Sequence, residues 1–118
     1  MSGGIRQTAE LGWLETLLRR RRPPTAVFAE NEILSVVCMN ALVRLGKRIP
    51  EDVAVIGIGD ALIDQLVPVP LTTVSLRQEE ACRRAVRLLL DLIEHPALRR
   101  RPPRRDVVKP ELIAGESA

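Results

Sequence analysis

Apolar positions recur along the chain with two different periods. Over residues 8–20, TAELGWLETLLRR, the side chains of Leu11, Leu14, Leu17 and Leu18 form one helical stripe, with Thr8 placed to cap it. PPTAVFA (23–29) reads as a short apolar strand behind a proline stop. NEILSVVCMNALVRLGK (31–47) returns to the helical period, with apolar Leu34, Val37, Cys38, Ala41, Leu42 and Leu45, Asn31 as the cap and Gly46 as the terminator. VAVIGIGD (53–60) is a second apolar strand, and it ends abruptly on Gly57, Gly59 and Asp60. ALIDQLVPVPLTTVSL (61–76) is a connector that closes on β-favouring LTTV. A long helix is then expected from about Arg77 to Glu94. Its polar stripe is Arg83, Arg87, Asp91 and Glu94; Ala81, Cys82, Ala85, Val86, Leu88, Leu89, Leu92 and Ile93 fill a wide apolar sector, which predicts burial on more than one side. RRDVVKPELIAG (104–115) reads as a final strand broken by proline.

Strand, helix and strand over 23–58 make a βαβ unit. Continuous apolar strands suit a parallel sheet covered on both faces, so a three-layer α/β arrangement is predicted, with strands 25–28 and 53–57 as parallel neighbours. In such sheets ligands sit beyond the C-terminal strand tips. Asn31 and Asp60 are the polar residues expected there.

Composition narrows the function classes. With 118 residues, 46% hydrophobic and 28% charged, the chain reads as one globular domain. Aromatics are few, Trp13 and Phe28, so the core is expected to be aliphatic. No run reaches the roughly 18 to 20 apolar residues of a membrane helix, and MSGGIRQTAE has no apolar signal region, which predicts a cytoplasmic protein with no membrane association. Cys38 and Cys82 lie in helical patterns without CxxC or a nearby His, and read as buried free thiols, with a disulfide or a reactive thiol as the alternatives.

The net charge of +3 comes from arginine in LLRRRRPP (17–24) and ALRRRPPRRD (97–106). Each cluster follows a helix and precedes a proline pair, as a solvated helix end does; phosphate binding is the sharper alternative, but stacking aromatics and a recognition helix are not legible. Catalytic, metal and cofactor sets are not legible either. His95 stands alone beside Pro96, Ser35 and Ser75 lack a nucleophile setting, and GIGD is neither GxGxxG nor a Walker loop. A binding protein, not an enzyme, is expected.

Residues 23–76 closely resemble the effector-binding region of the lactose-repressor (LacI/GalR) family of bacterial transcription regulators. The resemblance rests on the PTAVFA strand, the A-x-N-[DE] helix start at Ala29–Glu32, the G-x-x-[VI]-P-E-D-[VI]-x-V-[VI]-G stretch at Gly46–Gly57, and the segment ending in LTTV. The 77–94 helix and the ending VVKPELIAGES are similar to the family as well, so nearly the whole chain is covered; in the family that helix packs into a first subdomain, so here it is expected to be poorly covered in the monomer or to sit in an oligomer contact. The resemblance implies a periplasmic-binding-protein-like subdomain, incomplete relative to the family, in which residues 1–118 serve effector binding and dimerisation. Operator DNA would be read only through a domain this chain does not contain. The partners implied are a small-molecule effector, a sugar or sugar acid, and a second chain in a homodimer or a heterodimer with a paralogue.

The family's ligand-contacting Asn falls on Asn31, for which helix capping is the plainer role. Its G-[FY]-D-[DN] pattern falls on Gly57–Asp60, so Gly59 stands where many members carry Asp, and Asp60 serves either the ligand or the loop. The aromatic that stacks on ligands in many members falls around Arg6 or Gln7. Losing a carboxylate at 59 and gaining Arg6 shifts the expected ligand towards an anion such as a sugar acid.

Overall fold

The computed structural model describes residues 11–60, 66–100 and 102–118. In chain order the elements are α1 (Leu11–Leu18), β1 (Ala26–Phe28), α2 (Glu32–Arg44), β2 (Ala54–Ile58), β3 (Thr72–Ser75), α3 (Gln78–Glu94), a 3-10 turn at Pro96–Arg100, and β4 (Glu111–Ile113). The strands form one sheet in the order β1-β2-β3-β4. β1 and β2 are parallel neighbours in the register Ala26↔Ala54, and β2 and β3 are parallel with Ile56↔Thr72. The sheet is not wholly parallel: β4 runs antiparallel to β3, with Val74↔Leu112.

The crossover helix α2 starts and stops where its sequence dictates. Asn31 Oδ1 accepts the N–H of Leu34 at 2.9 Å and so satisfies a donor that the helix leaves open. At the other end Gly46 takes φ 71°, the Gly46 N–H reaches Val43 O and the Lys47 N–H reaches Leu42 O, which is a Schellman closure. The buried positions of α2 include Cys38, Met39, Ala41 and Leu42, and with Leu14 of α1, Ile49, Val53, Val55 and Leu71 they build the core. That core is aliphatic, while Trp13 and Phe28 stay exposed.

Gly57 lets α2 approach the sheet closely. A Cβ there would lie 2.5 Å from Ser35 Oγ, and Ser35 is itself a buried residue of α2. A side chain at 57 would push α2 off β2.

None of the residues of α3 is buried, as expected for a helix poorly covered in the single chain. Cys82, read as a buried thiol, is exposed, whereas Cys38 is buried and its burial pushes the thiol up from its usual value. Amphipathic spacing identifies an apolar face but not what covers it. The helix also starts one residue later than expected, because Arg77 adopts left-handed backbone at φ 52° and stands outside as the cap.

The chain's last residues are part of the sheet. Ser117 is buried; its Oγ accepts the Thr72 N–H at 2.8 Å and donates to Val55 O at 2.5 Å, and the Val55 N–H reaches Ser117 O at 2.7 Å. Ser117 therefore bridges Val55 of β2 and Thr72 of β3 where the pairing of the two strands begins. Ser117→Ala should lower stability by about 1 to 3 kcal/mol, since it strands a buried backbone donor. Chemical denaturation of both chains measures the difference, and an unchanged midpoint would contradict the bridging role.

Candidate functional site at the strand tips

Parallel β1, β2 and β3 end on the same edge of the sheet, and each runs into a polar residue there. After β1 come Asn31 and Glu32, after β2 Gly59 and Asp60, and β3 closes on Ser75 before Arg77. Hydrogen bonds link the tips in series: Glu32 reaches the backbone of Asp60, and the Asp60 carboxylate meets the Ser75 hydroxyl.

Gly59 is buried at φ 142°, in backbone that L side chains rarely adopt. A Cβ at this position would lie 1.8 Å from Glu32 Oε1 and 1.9 Å from Glu32 Cδ. The Glu32 carboxylate thus occupies the space a side chain at 59 would need. It accepts the Asp60 N–H at 3.0 Å, and Thr73 Oγ1 donates to Gly59 O at 3.2 Å, so the turn is held from two elements.

Asp60 points onward to α3. Its Oδ2 accepts the Gln78 N–H at 2.7 Å and so caps a helix whose own cap residue, Arg77, offers no side-chain bond. The Ser75 hydroxyl, first of all, and the backbone N–H of Gln78 hold the Asp60 carboxyl below its ordinary 3.8. A depressed folded-state pKa contributes stability that is fully present above 3.8 and is lost as pH falls through the lower native value. In an acid titration the Gln78 amide resonance should therefore move with a midpoint below 3.8, and in Asp60→Asn it should not titrate. A midpoint at or above the ordinary value would place the cap elsewhere.

Of the residues expected at the site, Asn31, Gly59 and Asp60 do lie on this edge; Arg6 and Gln7 fall outside the described residues. Asn31 is exposed, and its Oδ1 is used in capping α2. Glu32 and Ser75 were not expected to take part. The one sequence signal for Glu32 was its place in the Ala29–Glu32 helix start, and Ser75 carried none. Both glycines of GIGD answer to packing against α2.

From Asp60 and Ser75 an open groove continues along α3 to Asp91, facing the 104–113 segment. Its charges pair with one another: Arg84 bridges Glu80 and Asp106, Arg104 meets Asp91 at 3.1 Å, and Arg83 meets Glu79 at 2.5 Å. Of these exposed pairs, Arg84–Asp106 and Arg104–Asp91 fasten the last segment to α3 with modest strength. Arg104, from the arginine-rich run at 97–106, is used here as a tie. Among the described residues no group of three or more His, Cys, Asp or Glu is placed to hold a metal, and no helix is long and apolar enough to cross a membrane.

Residues 2–118 match the family model of a periplasmic binding protein-like domain. Over 104 residues the chain is 32% identical to the HTH-type transcriptional repressor PurR of Haemophilus influenzae, covering 88% of this chain and 31% of that protein. Among solved structures, a transcriptional regulator CelR–cellobiose complex superposes with a TM-score of 0.77 at 30% identity, over 95% of this chain and 33% of that one. A LacI family transcriptional regulator from Enterococcus faecium with bound ribose superposes with a TM-score of 0.78 at 25% identity, over 94% and 39%. The chain thus spans about a third of the length of the relatives it matches.

Proposed function

The chain belongs to the periplasmic binding protein-like domain family as it occurs in LacI-type transcriptional regulators, and on that footing we propose that its strand-tip edge is one wall of an effector cleft for a sugar-like metabolite. The observation that carries the reading is the convergence of Asn31, Glu32, Gly59, Asp60 and Ser75 at the shared end of β1, β2 and β3. Polar side chains fixed by helix caps and strand ends form a preorganised surface, and in open α/β sheets that edge is where ligands sit. Structural relatives that hold cellobiose and ribose support a carbohydrate.

In this reading the domain binds and does not catalyse. It works in the cytoplasm, effector binding biases a regulator's hold on operator DNA, and the DNA is read by a separate domain. Residues 1–118 supply effector binding and association with a second chain, a like copy or a paralogue. A second reading, an interaction module that joins a full-length regulator, is favoured by the uncovered apolar face of α3.

Thermal unfolding with cellobiose, ribose or lactose tests the effector reading. At least one should raise the melting temperature with ligand concentration, as binding to the native state requires. Asn31→Ala should weaken that binding by about tenfold through the lost side-chain amide. No shift with any of the three, or a shift untouched in Asn31→Ala, would contradict it.

A further inference from the structure

We propose that Glu32 determines ligand class at this edge: its carboxylate, in place of a side chain at position 59, is the anionic acceptor at the tip of β2, and it selects a neutral polyhydroxyl molecule over the corresponding carboxylic acid. The inference rests on the effector reading and goes beyond it to the chemistry of the ligand.

Position 59 has no side chain, and the space beside it is filled from α2. The Glu32 carboxyl carbon lies 1.9 Å from where a Cβ of residue 59 would stand. The edge has therefore not lost its carboxylate; the group comes from a neighbouring element. Its place is fixed by the Asp60 N–H at 3.0 Å. A carboxylate accepts up to about four hydrogen bonds, so it can hold the turn and also receive ligand hydroxyls.

Asp60 is turned towards α3 instead, where its oxygens meet Ser75 and the Gln78 N–H. Its charge nonetheless stays in the same turn. Two carboxylates, Glu32 and Asp60, consequently bracket Gly59, and a ligand carboxylate would arrive as a third negative charge. The N-terminus of α2, which would otherwise attract an anion, has Glu32 in its first turn. These features oppose the sugar acid expected from the sequence, where Gly59 read as a carboxylate lost.

The test is equilibrium binding of the full chain to matched probe pairs, D-glucose with D-glucuronate and D-galactose with D-galacturonate. The parent should bind the neutral member of a pair roughly tenfold or more tightly than the acid. Glu32→Gln, which keeps the shape and removes the charge, should shrink that ratio by about tenfold, while Glu32→Asp should hold it within about threefold of the parent. A parent that prefers the acid, or a ratio unchanged in Glu32→Gln, overturns the inference and leaves the effector reading standing. Binding of no probe by any variant counts against the effector reading itself and takes this inference with it.

Discussion

Gly59→Ala is expected to cost the fold about 2 to 6 kcal/mol and to lower the melting temperature by roughly 10 °C or more. Two separate losses add. Backbone at φ 142° is strained for any residue with a Cβ, by about 1 to 3 kcal/mol. The new Cβ would also overlap the Glu32 carboxylate, found 1.8 Å from its place, and drive it off the Asp60 N–H, which costs a further 1 to 3 kcal/mol or so. The two parts separate in a double-mutant cycle. With Glu32→Ala already present, Gly59→Ala should cost only the backbone strain, so the pair couples by about 1 kcal/mol or more. Strict additivity in thermal or urea unfolding would show that Glu32 does not occupy this space.

That contact marks the limit of what the sequence disclosed. The cap at Asn31, the Gly46 terminator and the two apolar strands were legible because each is a local pattern, decided within a few residues. Asn31, Gly59 and Asp60 could be placed on one edge because a right-handed βαβ unit aligns its strand tips. The fold of Glu32 over Gly59 was not legible, since it joins residues 27 positions apart and depends on the distance between α2 and β2. Ser117 was missed for a similar reason: a small polar residue near the end of the chain gives no sign that its hydroxyl bridges two strands. The antiparallel pairing of β4 was hidden by a short, exposed strand with no alternation of buried positions. The apolar sector of α3 was legible as a face, and its poor cover in the single chain was expected because the resemblance places its partner outside this chain.

Exposure of that face carries the second large expected effect. Val86, Leu89, Leu90 and Ile93 are 50 to 56% exposed along one side of α3. Covering the remaining half of four such side chains would contribute about 3 to 6 kcal/mol, a shift of roughly a hundredfold to ten-thousandfold in an association constant. The isolated chain should therefore self-associate as its concentration rises. Replacing Leu89 and Ile93 together by lysine should abolish that association and change unfolding stability by no more than about 0.5 kcal/mol, because neither side chain is buried in the single chain. Sedimentation velocity and denaturation of both proteins give the two readouts. A parent that stays monomeric at every concentration, or a variant that unfolds, would contradict the picture of α3 as an uncovered face.

The central claim, that the shared end of β1, β2 and β3 is an effector surface, is tested most directly by mapping backbone amide resonances of the full chain while a neutral sugar such as cellobiose or ribose is added. Saturable shifts are expected, concentrated at Asn31, Glu32, Gly59, Asp60, Ser75 and Gln78, on the three tips and the helix starts they cap. Shifts confined to the groove near Arg84 and Arg104, or spread evenly with no saturation, would contradict it.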